Sequence, residues 1–377
     1  MLLRRAVGRV RHSSHDATRP SRSSLLKVFA AITISSCSLI ALGDDEKSAS
    51  IRAYLVNKLT NGIPEDTQTV LESQPVLIPA YRQAQPAVTS STTNSDSVFL
   101  TIHLSRCADF ETCAAVVARV VQSHEYDAAV GFGARVWDAV HKNVPAGYVN
   151  LDIPTSMPST GGDIFLHCKA NDKATCVKMA KNVLENLPEG AIYDAEDVYG
   201  YHETKDWSVS SCENDRYETA VVPTTGGSFL LAQQWRHDHL AFDSIGSDAR
   251  DLVIGKHGSD YLYDTTDLSI AICNGLPENS HVAKVTVLDP LGKQFKIVRQ
   301  GMSCGSLAPG SVSKNNIHEY GSFFVGYSRD PMIFNYMLGR MTVSKAPDAL
   351  LRFNKCIRSQ LYYVPSVQQL KALATSH

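Results

Sequence analysis

The apolar and polar positions fall into a clear rhythm from residue 97 onward. SVFLTIHL (97–104) reads as a strand, and CADFETCAAVVARVVQSHEY (107–126) places its apolar residues at helical spacing. DAAVGFG (127–133) is a second strand and ARVWDAVH a short helix. DIFLHCKA (163–170) is a third strand, followed by a helix over DKATCVKMAKNVLENL (172–187). A second round follows. GSFLLAQQWRHD (227–238) reads as a strand and LAFDSIGSDARDLVIG (240–255) as a helix. SHVAKVTVL (280–288) and QFKIVRQG (294–301) read as two strands of a hairpin around a DPLG turn. GSFFVGYSRD (321–330) is a strand, PMIFNYMLGRMT is a helix with proline at its N-terminus, and VPSVQQLKALA closes the chain as a helix.

The two rounds resemble each other. DIFLHCKANDKATCVKMAKNV and GSFFVGYSRDPMIFNYMLGRM are each an apolar strand, a polar corner and a helix. SVFLTIHL with its helix pairs likewise with GSFLLAQQW and the helix after it. The expectation is an α+β chain: a duplicated ferredoxin-like fold of antiparallel sheets flanked by helices. The space between such a sheet and its helices can take a flat cofactor, and we place that cavity in the C-terminal half.

Residues 1–45 break from this rhythm. The first 27 residues carry six arginines and one lysine against one aspartate and are rich in serine. That is the composition of a mitochondrial presequence. Residues 28–43 contain no charge, which makes them a candidate stop-transfer element or part of a cleaved leader. The expected location is therefore the mitochondrion, in the intermembrane space or at the inner membrane. Residues 46–94 read as an extension or linker, and 95–373 as the folded domain.

Net charge changes the picture by exclusion. A formal charge of −2 gives no basic footprint for nucleic acid. The nine cysteines are odd in number and contain no CxxC pair, so a zinc ribbon or a secreted disulfide framework is not expected. The thiols read as mostly buried and reduced. RHDH (236–239) spaces its histidines two apart, which is not helical metal spacing, and reads as surface polarity.

The hairpin carries the candidate chemistry. His281 opens it at the mouth of a strand, and a single histidine suffices for axial coordination of haem iron, because the porphyrin supplies the four in-plane ligands. Arg299 alternates in register with Phe295 and Ile297, so it shares their apolar face. A buried arginine needs an anion or an acceptor: an internal carboxylate, or a developing oxyanion such as that of cleaving peroxide.

Several stretches in their order and spacing give the chain a resemblance to the dye-decolorizing peroxidases, in particular the bacterial porphyrinogen-peroxidase (B type) branch. They are GFGARVWDAV (131–140), GGSFLLAQQWRHDHLAF (226–242), DLVIGKHGSD (251–260), ENSHVAKV (278–285), FKIVRQG (295–301) and DALLRFNKCIRSQLYYVPSVQQLKAL (348–373). The resemblance implies haem b (heme b) as cofactor, His281 as the axial metal ligand and Arg299 on the opposite, distal side. It implies hydrogen peroxide as oxidant, a small-molecule or protein electron donor, and a homo-oligomer. The family's Gly-x-x-Asp-Gly motif corresponds here to GYHETKDWS (200–208), which keeps Gly200 and replaces the aspartate by Glu203. Glu203 would then move the proton between the peroxide oxygens, with His202 and Asp206 as nearby substitutes. An arginine that contacts a haem propionate is replaced by Lys256, in IGK. An aspartate that bonds the proximal histidine is matched to Asp330 in SRDP, where it could equally cap the helix beginning at Pro331. Trp207 and Trp235 are candidate relays to bulky donors or packing residues. Two other readings remain at this point: a non-catalytic haem-handling protein with an altered distal motif, and a structural module without haem.

Overall fold

A computed structural model describes residues 80–89, 94–122, 127–141, 157–202, 219–257, 260–263, 267–289, 291–292, 294–305 and 320–375. The leader, the 28–43 run and Glu203 with Asp206 and Trp207 lie outside the described residues.

The first half runs β1 (Asp96–Leu104), α2 (Phe110–Gln122), β2 (Asp127–Phe132), α3 (Ala134–Val140), β3 (Ile164–Ala170), α4 (Lys173–Asn186) and β4 (Ile192–Tyr201), with a one-turn helix α1 (Pro86–Thr89) ahead of it. The strands lie in the order β4-β1-β3-β2, all antiparallel. Asp172 starts α4 by accepting the Thr175 amide proton. β1 is buried over Val98, Phe99 and Leu100 in succession, because helices cover one face and other strands the second.

The second half repeats this plan with insertions. β5 (Ser228–His237) leads into α5 (His239–Ser244) and α6 (Ser247–Ile254). Two short strands, β6 (Lys256–His257) and β7 (Asp260–Tyr261), precede α7 (Leu268–Cys273) and α8 (His281–Val285). A small hairpin of β8 (Val287–Leu288) and β9 (Gln294–Phe295) comes next. The half then runs through β10 (Val298–Arg299), β11 (Met302–Cys304), β12 (Gly321–Ser328), α9 (Pro331–Thr342), β13 (Asn354–Val364) and α10 (Val367–Thr375). β10 and β11 pair with successive stretches of one edge of β12 and act as a single interrupted strand. The order β13-β5-β12-β10/β11 therefore reproduces β4-β1-β3-β2, as the duplicated pattern predicts.

The two sheets join at both edges, β4 to β11 and β2 to β13, so the strand pairings close into a ring. Alternation then assigns the side chains. Phe323, Val325 and Tyr327 of β12 pack inside the ring with Phe99, Phe165 and Tyr362, while Phe324 joins the layer between sheet and helices. Residues 80–89 also belong to this unit. Ala87 and Val88 are fully buried, and Gln85 accepts from the Val130 amide at 2.8 Å and donates to the Val130 carbonyl at 2.9 Å, as a neighbouring strand would.

Two expected elements differ. The helix over 240–255 is divided into α5 and α6 at Gly246, whose φ of +80° leaves the helical region. SHVAKVTVL is not one strand: Ser280 accepts from the Ala283 amide and begins a helical turn, α8, and only Val287–Leu288 are extended. The hairpin between His281 and Arg299 is thereby reduced to β8 and β9, and each of the two residues sits on an element beyond its ends.

Candidate functional site

The second half holds a cavity between its sheet and its helices. The sheet wall comes from alternate residues of β5, Leu231, Gln233, Trp235 and His237, with Ser322 and Phe324 of β12. Ile297 and Arg299 extend the same wall, as their shared face predicts. The opposite wall is apolar. Phe334, Met337, Leu338 and Met341 recur at helical spacing along α9 and present one stripe to the space.

His281 enters from the first turn of α8. Its Nδ1 lies 2.7 Å from Asp348 Oδ2, and the Asp348 side chain is wholly buried. The other oxygen of Asp348 accepts the Leu350 amide at 2.9 Å and so begins the 3₁₀ turn Ala349–Arg352. One carboxylate thus caps a turn and fixes an imidazole. With Nδ1–H committed to the carboxylate, Nε2 is the nitrogen left for a ligand. α8 is held by Arg340 of α9, whose guanidinium donates to the carbonyls of Ala283 and Lys284 at 2.8 and 3.1 Å. Gly255, which ends α6 with φ +91°, lets that helix approach, since a Cβ there would stand 2.9 Å from the Val282 Cβ.

Lys256 follows at once. It is 7% exposed, lines the cavity, and sets its ammonium 4.0 Å over the Tyr261 ring. This placement is a cation at the cavity wall, not a solvated surface lysine.

Three expectations are corrected. Asp330 does not reach the histidine: its carboxylate accepts the Met332 amide at 2.9 Å and caps α9, and Asp348 makes the bond to His281 instead. Gly200 is not among the described residues lining the cavity. It lies in β4 facing the ring interior, where a Cβ would come within 2.7 Å of the Phe99 ring and 2.9 Å of Met302 Cβ, so ring packing demands the glycine. RHDH is not mere surface polarity. His237 lines the cavity, with Nδ1 2.6 Å from Asn354 Oδ1 and Nε2 3.0 Å from Ser322 Oγ. The alternation Leu231, Gln233, Trp235, His237 carried that signal, whereas Asp348, in the quoted stretch beginning DALL, is marked by the sequence only as a helix cap.

Among the described cysteines all are unbridged; Cys113, Cys168, Cys176, Cys304 and Cys356 are buried as expected, whereas Cys107 and Cys273 are exposed. Burial pushes the Cys304 and Cys356 thiols up to about 12, which leaves almost no thiolate at neutral pH.

A pocket on a duplicated ferredoxin-like scaffold, with one carboxylate-backed histidine and an arginine on the sheet wall, defines the class. The sequence model of the Dyp-type peroxidase N-terminal family matches residues 100–202, and that of the C-terminal family matches 210–369. The chain belongs to the Dyp-type peroxidase family. The dye-decolorizing peroxidase of Mycolicibacterium paratuberculosis is 28% identical over 264 residues, 64% of this chain and 70% of the relative. That of Brevibacterium linens is 28% identical over 259 residues, 63% of this chain and 66% of the relative. Among solved structures, a variant of Rhodococcus jostii RHA1 DypB in complex with heme superimposes with TM-score 0.65 at 26% identity, over 76% of this chain and 97% of that one. The encapsulated DyP-type peroxidase from Mycobacterium smegmatis shares the fold, with TM-score 0.62 at 22% identity over 76% and 97% of the two chains.

Proposed function

We propose that the cavity holds haem through His281 and that the enzyme reduces hydrogen peroxide at the expense of an electron donor. The residues present fit the group. One imidazole has its Nδ1 occupied and Nε2 available, the wall of α9 is apolar, and Lys256 offers a cation for a propionate. When bound, the haem supplies the redox chemistry, taking oxidising equivalents from peroxide and returning them to a donor.

The protein's own contribution follows from the contacts. Asp348 holds the His281 tautomer and enriches the ring in electron density, which favours higher oxidation states of a coordinated metal. Arg299, on the sheet wall, stabilises negative charge on the departing peroxide oxygen. Glu203, two residues past the end of β4, would carry the proton between the two oxygens. The Phe334–Met341 stripe excludes water and so strengthens each of these interactions. The arginine-rich leader supports delivery to a mitochondrion, with residues 28–43 either a membrane anchor or part of a cleaved leader.

The observation that carries this reading is that His281, backed by a buried carboxylate, and Arg299 line one cavity. The test is the absorption spectrum of haem-reconstituted wild type beside His281→Ala and Arg299→Ala, before and after peroxide. Wild type is expected to show a Soret band that responds to peroxide, His281→Ala to lose the native band, and Arg299→Ala to keep the band but respond far more slowly. A wild-type band that ignores peroxide would overturn the peroxidase reading.

A further inference from the structure

The ring of strands encloses a second group of titratable side chains that the reaction above leaves unused. His167 of β3 and Tyr327 of β12 are both fully buried inside the ring, with the phenol oxygen 2.8 Å from His167 Nδ1. Burial holds the imidazole well below its ordinary range and the phenol well above its own, so both are neutral near pH 7. His167 Nε2 is buried without a hydrogen-bond partner. If the phenol donates to Nδ1, the Nε2 proton is the one orphaned group. The other tautomer would orphan both the Nε2 lone pair and the phenol proton. The geometry therefore favours Tyr327 O–H donating to His167 Nδ1. A buried polar atom left unpaired in this way calls for an explanation, and a redox role is one of the few available.

The surroundings keep the pair dry and rigid. The Phe99 ring stacks on His167 at 5.1 Å between centroids and on Phe323 at 4.3 Å. The pair also lies one backbone layer from the cavity. Tyr327 pairs with Val298 across β12 and β10, and the next pair along is Gly326 with Arg299, which lines the cavity. Arg299 and Tyr327 therefore project from opposite faces of the same two strands.

We propose that Tyr327 and His167 form a buried redox pair that stores an oxidising equivalent from the haem cavity when no donor is present. The inference rests on the peroxidase reading. In the step, one electron leaves the Tyr327 phenol and reduces the oxidised cofactor by one equivalent. The phenol O–H bond breaks, the proton moves along the existing hydrogen bond, and an N–H bond forms at His167 Nδ1. The products are a neutral tyrosyl radical and an imidazolium, so the pair gains the one positive charge that the electron left behind. Lys169, also buried in the ring, acts on His167 as a like charge and makes the imidazolium costly. The proton is thereby driven back to the phenol once an electron returns from a donor.

The test is freeze-quench electron paramagnetic resonance on the full, haem-loaded chain mixed with peroxide and no donor. Wild type grown on ring-deuterated tyrosine is expected to give a radical signal narrowed by the label. Tyr327→Phe should abolish it, His167→Leu should lower its yield about tenfold by removing the proton acceptor, and Tyr362→Phe should leave it unchanged. Should Tyr327→Phe fail to fold, difluorotyrosine at position 327 keeps the ring and must add fluorine splitting to the signal. A signal that survives Tyr327→Phe, or lacks that splitting, overturns the proposal. So does a wild type whose haem bands respond to peroxide with no tyrosine signal. If the haem bands do not respond at all, the peroxidase reading has failed separately. The pair is then judged in haem-free protein with a photogenerated one-electron oxidant, where loss of the radical in Tyr327→Phe supports it and persistence sinks it.

Discussion

Asp330 and Asp348 occupy the same kind of position, one residue ahead of a helical turn, and both cap it with one oxygen. Only Asp348 has its second oxygen against an imidazole. The difference decides what each substitution does. Asp330→Ala removes a cap and is expected to cost about 1 kcal/mol of folding stability with an unchanged haem spectrum. Asp348→Ala removes a cap and also leaves a histidine donor without its anion. Outer partners of metal-binding histidines are worth about 10–100-fold in metal affinity, and we expect a loss of that order in haem affinity. Haem titration and denaturant unfolding of the two variants check this directly. Equal loss of haem affinity in both would mean that the His281–Asp348 bond does not govern binding. In sequence, both aspartates look like caps, and the 67-residue separation of Asp348 from His281 is a tertiary fact that no local pattern contains.

At the level of elements, α8 shows how periodicity misleads. Within SHVAKVTV, AKVTV (283–287) alternates apolar and polar residues as a strand would. What decides otherwise is a serine that caps the first turn and an arginine on α9 that holds two carbonyls of α8. The cap was readable locally, whereas the arginine contact depends on the fold. By contrast, the Ile297–Arg299 register survives because alternation along an extended segment needs no partner to be read, and both residues do line the cavity. His237 could have been placed by the same rule applied to GSFLLAQQWRHD. Gly255 gives the element-level prediction. Both Gly246 and Gly255 have positive φ, so alanine at either site costs on the order of 1–3 kcal/mol of backbone strain. Nothing stands within 4 Å of a Cβ at Gly246, whereas one at Gly255 meets Val282 of α8 at 2.9 Å. Gly255→Ala is expected to destabilise more and also to weaken haem uptake, because α8 carries His281. Gly246→Ala should leave uptake near wild type. Haem titrations that rank the two variants alike would show that the contact between α6 and α8 does not hold His281 in place.

Across the whole molecule, the duplication visible in sequence becomes two four-strand sheets joined at both edges. That closure removes exposed sheet edges and creates an interior. Duplication could be read from repeated strand–corner–helix patterns, but closure could not, since it depends on β4 meeting β11 and β2 meeting β13. The interior has an electrostatic consequence. Lys169 is 3% exposed there, with its ammonium 2.8 Å from Gln300 Oε1, and Gln300 donates in turn to the Val88 carbonyl of the N-terminal segment. Desolvation lowers the Lys169 pKa to about 8, with Asp127 opposing the shift. The unfolded chain holds its proton until about pH 10.4, so between these values the unfolded state binds more protons than the native one. Stability must then rise with pH across that window, and the contribution is lost as pH falls through about 8. Other groups titrate above pH 10, so the comparison needs Lys169→Met, which keeps the aliphatic stem and removes the charge. Denaturant unfolding of haem-free wild type and Lys169→Met at pH 7, 8, 9 and 10 is expected to show wild type gaining on the variant as pH rises. A constant difference between the two over that range would mean that the ammonium is not desolvated inside the ring, and that the interior is wetter than its packing implies.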